Sequence, residues 1–500
     1  MLLTNSFVID LLLALVTLAV AGYYYVRHKY SYWTSRGVLQ LKPTFPTGNY
    51  GNGLPRGITI GRVSYHLYQE FKKAGHKFGG VYMGLDPYLV IMDPDIAQQI
   101  LTTDFTHFAN RAIYQSPKNP ITSNIITQEF KEWRNARTKL TPIFTSAKMK
   151  FFFNNMNKCK DVFGQNLQRV VNDPNKDIDI YETMACYFTD IISSAVFGVE
   201  ANSFTSPDAE FRRVGRDLFD KFSRKEQLKL FLAICYPGIA RLLNIGYIQD
   251  SVEEFFNNFV PEAIEHREKK GIYGTDVLQT LMELMHSDTS MTLEELISQS
   301  FIFFSAGFET SSFTSSMMLY ELSMHKDMQD RVRQEINNIL KENGGQLTYE
   351  SLKSMKYFTQ IFYETMRKYP VLATITRICV KDYEFKGHDF KIEKGTGILI
   401  PQLGFLSDPD LYPDPEVFDP ERFAEKDTKH LGYMPFGEGP RNCIGSRFAI
   451  LQVKLGVAEV IRNFEVSLSP NHKEPLVFNE FTFVTKVDEP ILLRLKKINY

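Results

Sequence analysis

The chain has 500 residues, 44% of them apolar and 23% charged, and its 57 Lys and Arg nearly balance 58 Asp and Glu for a formal net charge of −1. Such a chain can bury a large core, which excludes a disordered, collagen-like or disulfide-dense miniprotein class. With no long run of like charge there is no electrostatic footprint for nucleic acid, and no such partner is expected.

The first predicted element is apolar. Leu11 to Val26 carry no charge and only Asp10 precedes them, so about 20 to 25 residues could cross a bilayer. Tyr23, Tyr24 and Tyr25 stand where an interfacial aromatic belt would lie, and Arg27, His28, Lys29 and Arg36 follow. By the positive-inside bias the rest of the chain then lies on the cytosolic side. Two readings compete with an uncleaved anchor over residues 1–26: a buried core helix, and a cleaved signal peptide suggested by the small-x-small run Ala19-Val20-Ala21. The second lacks a basic n-region. Lys42 to Asn49 (KPTFPTGN) cannot continue a helix, because Pro lacks a donor and Gly adds backbone freedom. Residues 27–53 are therefore expected as a basic flank and hinge. Residues 54–500 are expected as one domain, since neither a linker nor a repeat of solenoid period interrupts them.

Helical periodicity dominates the middle of the chain. The clearest helix opens at Thr292, which with Glu295 has capping-box form, and runs without proline to Asp327. Its first half is apolar on nearly every side, so it is expected to cross the interior of a large domain. Helices over MQDRVRQEINNIL and SLKSMKYFTQIFYETMRKY follow, the latter stopped by Pro370. Beyond it the short alternating runs YEFKG, FKIEKG and GILIP read as one small sheet, and Asp408 to Pro420 as an irregular meander. The fold class is mainly α with a small β region.

Cys159, Cys186, Cys235, Cys379 and Cys443 are an odd, widely spaced set with no C-x-x-C pair, which argues against a disulfide framework or a structural zinc. Cys443 stands apart. It lies in Phe436-Gly437-Glu438-Gly439-Pro440-Arg441-Asn442-Cys443-Ile444-Gly445, directly before a helical pattern. Glycines on both sides let the backbone pass close to a flat object, and amide dipoles at a helix start favour a thiolate. The bland alternative, a small buried hydrophobe, would leave the glycines and Arg441 unexplained. The pattern F-x-x-G-x-R-x-C-x-G resembles the haem-binding loop of the cytochrome P450 superfamily. That resemblance implies the cytochrome P450 fold with an N-terminal transmembrane anchor, Cys443 as axial ligand of the haem iron, and Phe436, Gly439, Arg441 and Gly445 as cofactor-binding residues.

Other segments fall in the order the resemblance requires. Glu364 and Arg367 share a helix face before Pro370, and in the family such a pair joins the arginine of a later P-E-R-F, here Arg422. E-x-x-R is weak alone, recurring at Glu210 with Arg213 and Glu459 with Arg462. Ala306-Gly307-Phe308-Glu309-Thr310 looks like the family's oxygen-binding motif: Gly307 with Ala306 giving room over the haem, Thr310 the hydroxyl, Glu309 the acid. Trp133 and Arg137, spaced i,i+4, resemble donors to the haem propionates, as do Arg377 and Arg441. Outside the resemblance each has an ordinary reading: back-bonding for Thr310, a solvated or buried carboxylate for Glu309, a snorkelling side chain for Arg137. Two positions depart from the family pattern. Leu39 stands where relatives often have Pro, and Leu406 where many carry a histidine that helps hold a propionate.

The resemblance is strongest to microsomal insect xenobiotic-metabolising members. It implies a haem-thiolate monooxygenase in the endoplasmic reticulum membrane. This enzyme would act on a lipophilic substrate with O2 and draw electrons from NADPH through the NADPH-cytochrome P450 reductase; no nicotinamide or flavin fingerprint is evident in the chain itself. Lys131, Arg134, Lys139, Lys148 and Lys150 are candidate docking charges. A haem-thiolate isomerase or dehydratase of peroxides, and a non-catalytic haem-binding protein, are the alternatives; the Glu309–Thr310 pair argues against the first. Ile113, Tyr114, Phe303, Phe304, Phe308 and Phe483 suggest an apolar, aromatic substrate cavity, against the plain reading that most of them are core.

Overall fold

The computed structural model describes residues 7–498 except 52–59, 172, 207, 221–222, 288–290, 386, 388–389, 426–431 and 480–483. The first described element is the helix Phe7–Lys29, none of whose residues is buried and whose last turn carries Arg27, His28 and Lys29, where cations complement the helix dipole. It is long and apolar enough to cross a membrane, and its lack of burial separates it from a core helix.

The expected hinge turns out to be tied down. Trp33 is fully buried four residues after the anchor helix, and its indole N–H donates to Val81 O at 3.1 Å. Thr44 and Gly48 exchange two backbone bonds of 2.8 and 2.7 Å. Asn49 accepts from Tyr82 N–H at 2.9 Å and donates to the carbonyls of Leu41 and Lys42. Gly48 has φ +68°, and a Cβ there would lie 2.3 Å from Tyr82 O. The helix itself ends at Lys29, well before Pro43, and the backbone of Leu39, Leu41 and Asn49 bonds to Gly80 and Tyr82 of the first sheet.

That sheet has the order β1-β2-β7-β4: β1 (Phe78–Met83), β2 (Asp86–Ile91), β7 (Gly397–Ile400) and β4 (Ile375–Ile378). Only the β2–β7 pair is parallel. The three runs expected to form one sheet are thus divided: β5 (Tyr383–Glu384) and β6 (Lys391–Ile392) pair with each other alone, while β7 is buried on every residue between β2 and β4. Local alternation reports strands but not their partners. A third sheet, β3-β9-β8, joins Asp177–Asp179, Leu492–Lys497 and Phe464–Leu468 in antiparallel order.

The long helix, Leu293–Met324, has 32 residues and opens with the expected capping box at Thr292 and Glu295. It stops three residues earlier than its pattern suggests. His325 leaves helical geometry at ψ 81°, and Asp327 belongs to the next helix, Lys326–Glu342. The single helix expected up to Tyr369 is two, Tyr349–Ser354 and Lys356–Lys368, with Met355 extended between them. The break is held by side chains from elsewhere. Glu335 accepts from the backbone N–H groups of Lys356, Tyr357 and Phe358, and buried Lys454 donates to the carbonyls of Leu352 (2.5 Å) and Met355 (3.3 Å). Orphan groups at both ends of the break are thereby satisfied. One hydrophobic core surrounds the long helix and the C-terminal helix, Ser446–Asn463; a second packs on the four-stranded sheet.

Candidate active site

The loop before the C-terminal helix is shaped by its own backbone. Cys443 N–H donates to Phe436 O at 2.8 Å, Gly437 N–H to Met434 O at 2.9 Å and Asn442 N–H to Gly439 O at 3.0 Å. Gly437 and Gly439 have φ near +72° and +71°, a region that favours glycine. A Cβ on Gly439 would stand 1.8 Å from Leu101 O, so the close approach is to the protein's own backbone. At Gly445, by contrast, no protein atom comes nearer than 3.7 Å to the Cβ position.

Cys443 is exposed whereas Cys186, Cys235 and Cys379 are buried. Yet burial raises its thiol pKa, opposed by the Gly445 N–H and by Arg111 and Arg137. The residue is thus accessible while the surrounding protein partly desolvates its thiol. Its three opposing groups all favour a thiolate.

Four guanidinium groups gather around this loop. Arg111 donates to Arg441 O at 2.8 Å, and Arg137 donates to Asn442 O and Oδ1 at 2.8 and 2.9 Å. Arg441 donates to Gln128 O at 2.5 Å and lies 4.7 Å from the Trp133 ring centroid. Arg377, 2% exposed, donates to Thr376 O at 2.8 Å. Arg111 and Arg377 meet because Asn110 O accepts from Ile378 N–H, while Asn110 Oδ1 accepts from Phe130 N–H at the start of the Phe130–Leu140 helix that carries Trp133 and Arg137.

Among the described residues no acidic side chain pairs with any of the four. The Nε atoms of Arg377 and Arg441 are buried without a partner. Burial, then Arg111 and Arg441, drive Arg377 far below the ordinary arginine range; burial and Arg111 push Arg441 to about 9. Arginine keeps its proton in proteins, so the cost of so much like charge calls for an anion of matching size. Two carboxylates on one flat ligand, beside an accessible thiol, meet that demand. The residues present therefore fit a haem with its propionates.

Arg111 was missing from the sequence reading; its only signal is a lone cation in the apolar run FANRAIY. Leu406 is fully buried, its carbonyl accepting from Arg367 at 3.0 Å.

The long helix presents Ala306 as an exposed residue within a mostly buried element, and Thr310, one turn on, is half-buried. The Thr310 hydroxyl donates to Ala306 O at 2.8 Å. A Cβ on Gly307 would lie 2.4 Å from Ile192 Cδ1, so its smallness lets the helix Ile180–Ile192 come close. Gln452 of the C-terminal helix donates to Gly307 O (2.9 Å) and Ser311 Oγ (2.6 Å), fixing the long helix against the cysteine-bearing segment. Glu309 is 2% exposed and accepts from the Tyr181 hydroxyl.

Phe304 and Phe308 lie within the aromatic packing of the core. Both are fully buried, and their rings pack on each other at 5.1 Å and on Phe211, Phe256 and Phe219. Phe303 leans on Phe144 at 5.8 Å. Tyr114 is buried against Tyr247, and Ile113 is half-buried. Phe483 lies outside the described residues.

Glu364 and Arg367 form a buried bidentate pair with both bonds at 2.8 Å. Asp419 N–H donates to the same carboxylate at 2.9 Å, and Arg422 stands 3.7 Å from it. Arg367 also reaches Val417 O, so the pair ties the meander to the helix. The rival Glu210–Arg213 is an exposed 3.5 Å contact. A buried network of this kind fixes geometry around the cysteine loop more than it adds stability.

A mainly helical body, an accessible desolvated thiol at a helix start and an uncompensated arginine cluster define a haem-thiolate enzyme. A family model described as Cytochrome P450 matches residues 46–494. The chain is 36% identical to Probable cytochrome P450 6a13 of Drosophila melanogaster over 98% of its own length and 99% of that protein's. It is 35% identical to Cytochrome P450 6A1 of Musca domestica over 94% of each chain. Against Cytochrome P450 6k1 of Blattella germanica it is 35% identical, over 95% of its length and 94% of that protein's. The chain belongs to the cytochrome P450 family and is a haem-thiolate monooxygenase, an enzyme requiring haem, O2, a redox partner and a lipophilic substrate.

Proposed function

We propose that the protein inserts one oxygen atom into a lipophilic xenobiotic or endogenous lipid at the cytosolic face of the endoplasmic reticulum. Its electrons come from NADPH through the membrane-bound cytochrome P450 reductase. The observation that carries this reading is the convergence of Arg111, Arg137, Arg377 and Arg441 on the loop of Cys443, with no acidic side chain of the described residues between them. Bound haem supplies O2 activation and electron transfer.

The chain's own residues do the rest. Cys443 would hold the haem iron through its sulfur; burial raises its thiol pKa, and the Gly445 N–H, Arg111 and Arg137 oppose that rise in favour of the thiolate. The four arginines and Trp133 would hold the propionates, and Ala306 would leave room for the haem beside the long helix. Thr310 Oγ1 donates to Ala306 O and keeps lone pairs free to accept a proton from water, with Glu309 as the acid behind it. Phe436, Gly439 and Gly445 shape the loop around the sulfur. On the Phe130–Leu140 helix Lys131 and Arg134 are exposed and suit an acidic partner surface, whereas Lys150 is already engaged by Glu350 at 3.1 Å.

The test is Cys443→Ala. The long-wavelength band of the reduced carbon monoxide complex should vanish; an unchanged spectrum removes Cys443 as ligand. A screen of binding spectra against diverse lipophilic compounds then narrows the substrate class. NADPH consumption with purified reductase separates this activity from peroxide isomerisation or simple haem carriage.

A further inference from the structure

Between Arg111 and the helix Phe130–Leu140 the chain folds residues 121–128 into a turn stapled by its own polar side chains. Asn124 Oδ1 accepts from Ile126 N–H at 3.0 Å, and the Asn124 amide donates to Ile121 O at 3.1 Å. The N–H groups of Thr127 and Gln128 donate to Asn124 O at 3.0 and 2.9 Å, and the Thr127 hydroxyl donates to Thr122 O. A short side chain that bonds backbone two residues on sets the conformation of such a turn.

Two carbonyls of this turn face the arginine cluster. Ile126 O accepts from Arg111 at 3.4 Å and from Arg441 at 3.3 Å, and Gln128 O accepts from Arg441 at 2.5 Å. Because no acidic side chain of the described residues pairs with either cation, these peptide dipoles help fix where the two guanidinium planes point.

The long helix holds the turn in place. Gln299, 1% exposed, accepts from Ile125 N–H at 3.2 Å through its Oε1. Beside it Ser298 Oγ donates to Ser123 O at 3.0 Å. A buried amide costs stability unless it is bonded, and this one fixes the backbone one residue before the carbonyl that Arg111 and Arg441 share.

We propose that Gln299, together with Asn124, is a positioning residue for the haem's carboxylate partners: through Ile126 O it sets the orientation of Arg111 and Arg441. This rests on reading the arginine cluster as the site of the haem propionates. The long helix then acts on haem retention about three turns from Thr310, by a route separate from that hydroxyl.

Haem transfer from the full-length holoenzyme to an acceptor apoprotein tests it, in a cycle with Arg111→Ala. Gln299→Leu nearly keeps the volume but offers Ile125 N–H no acceptor. It should retain the reduced carbon monoxide band and lose haem at least about threefold faster, the scale of one buried hydrogen bond. Combined with Arg111→Ala it should add less than its own factor, because part of its effect runs through that guanidinium. Asn124→Ala slackens the same turn from within and should behave alike, which keeps the test open if Gln299→Leu does not fold. Factors that multiply in full describe general loosening and overturn the positioning. Wild-type retention in Gln299→Leu and Asn124→Ala, while Arg111→Ala loses haem faster, overturns it too; either result leaves the arginine cluster as the carboxylate site. If Arg111→Ala itself retains haem like wild type, Arg111 has no part in that site and the positioning falls with it.

Discussion

The guanidinium of Arg111 donates to the main-chain carbonyl of Arg441 at 2.8 Å. One half-buried cation thus orients the backbone that carries another, two residues before the Cys443 sulfur.

Removing that cation should loosen the cofactor without touching the thiol. Arg111→Ala is expected to retain the reduced carbon monoxide band but to lose haem roughly tenfold faster or more, since truncating a partner of a buried charged contact costs about 2–5 kcal/mol. Haem transfer to an acceptor apoprotein measures it. Retention equal to wild type would mean that Arg137, Arg377 and Arg441 suffice.

Thr310→Ala should keep haem and fold, because its hydroxyl bonds only within the helix. Product formed per NADPH should fall at least about tenfold while peroxide rises. Undiminished coupling would remove the hydroxyl from proton delivery.

Lys454 makes stability depend on pH. Its amine is buried against two carbonyls and the Thr359 hydroxyl, and burial pushes its pKa down to about 8. In the unfolded chain it titrates near the ordinary lysine value, so between these values the unfolded state binds more protons and stability rises with pH. The difference in unfolding free energy between wild type and Lys454→Met should therefore shift in favour of wild type from about pH 8 to about 10.5. A pH-independent difference would show that the amine titrates normally.

Deleting the residues before Arg27 should leave a soluble or weakly membrane-associated protein that still binds haem, because Trp33 and Asn49 retain all their bonds. Sedimentation and the haem absorbance per protein report both properties together.

Local signals were legible where one element contains its own cause. The capping box at Thr292 with Glu295, the stop at Pro370 and the F-x-x-G-x-R-x-C-x-G loop each depend on neighbours a few residues away. What stayed hidden depends on long-range partners. Glu335 and Lys454 break the helix at Met355 from 20 and 99 residues' distance. β7 is separated from β5 and β6 by a partner, β2, some three hundred residues upstream. The clearance that Gly307 gives Ile192 was not legible either, since a glycine reports that something is close but not what. Phe304 and Phe308 read equally well as pocket or core, and only their ring neighbours decide it. Arg111 had no motif around it, because an arginine cluster is assembled from four separate stretches of chain.

The buried indole of Trp33 has a mechanical consequence. It grips β1 at Val81, and β1 continues through β2 and β7 to β4, which bears Arg377. The stretch that follows the first helix is thereby joined, strand by strand, to the arginine cluster that Arg377 completes.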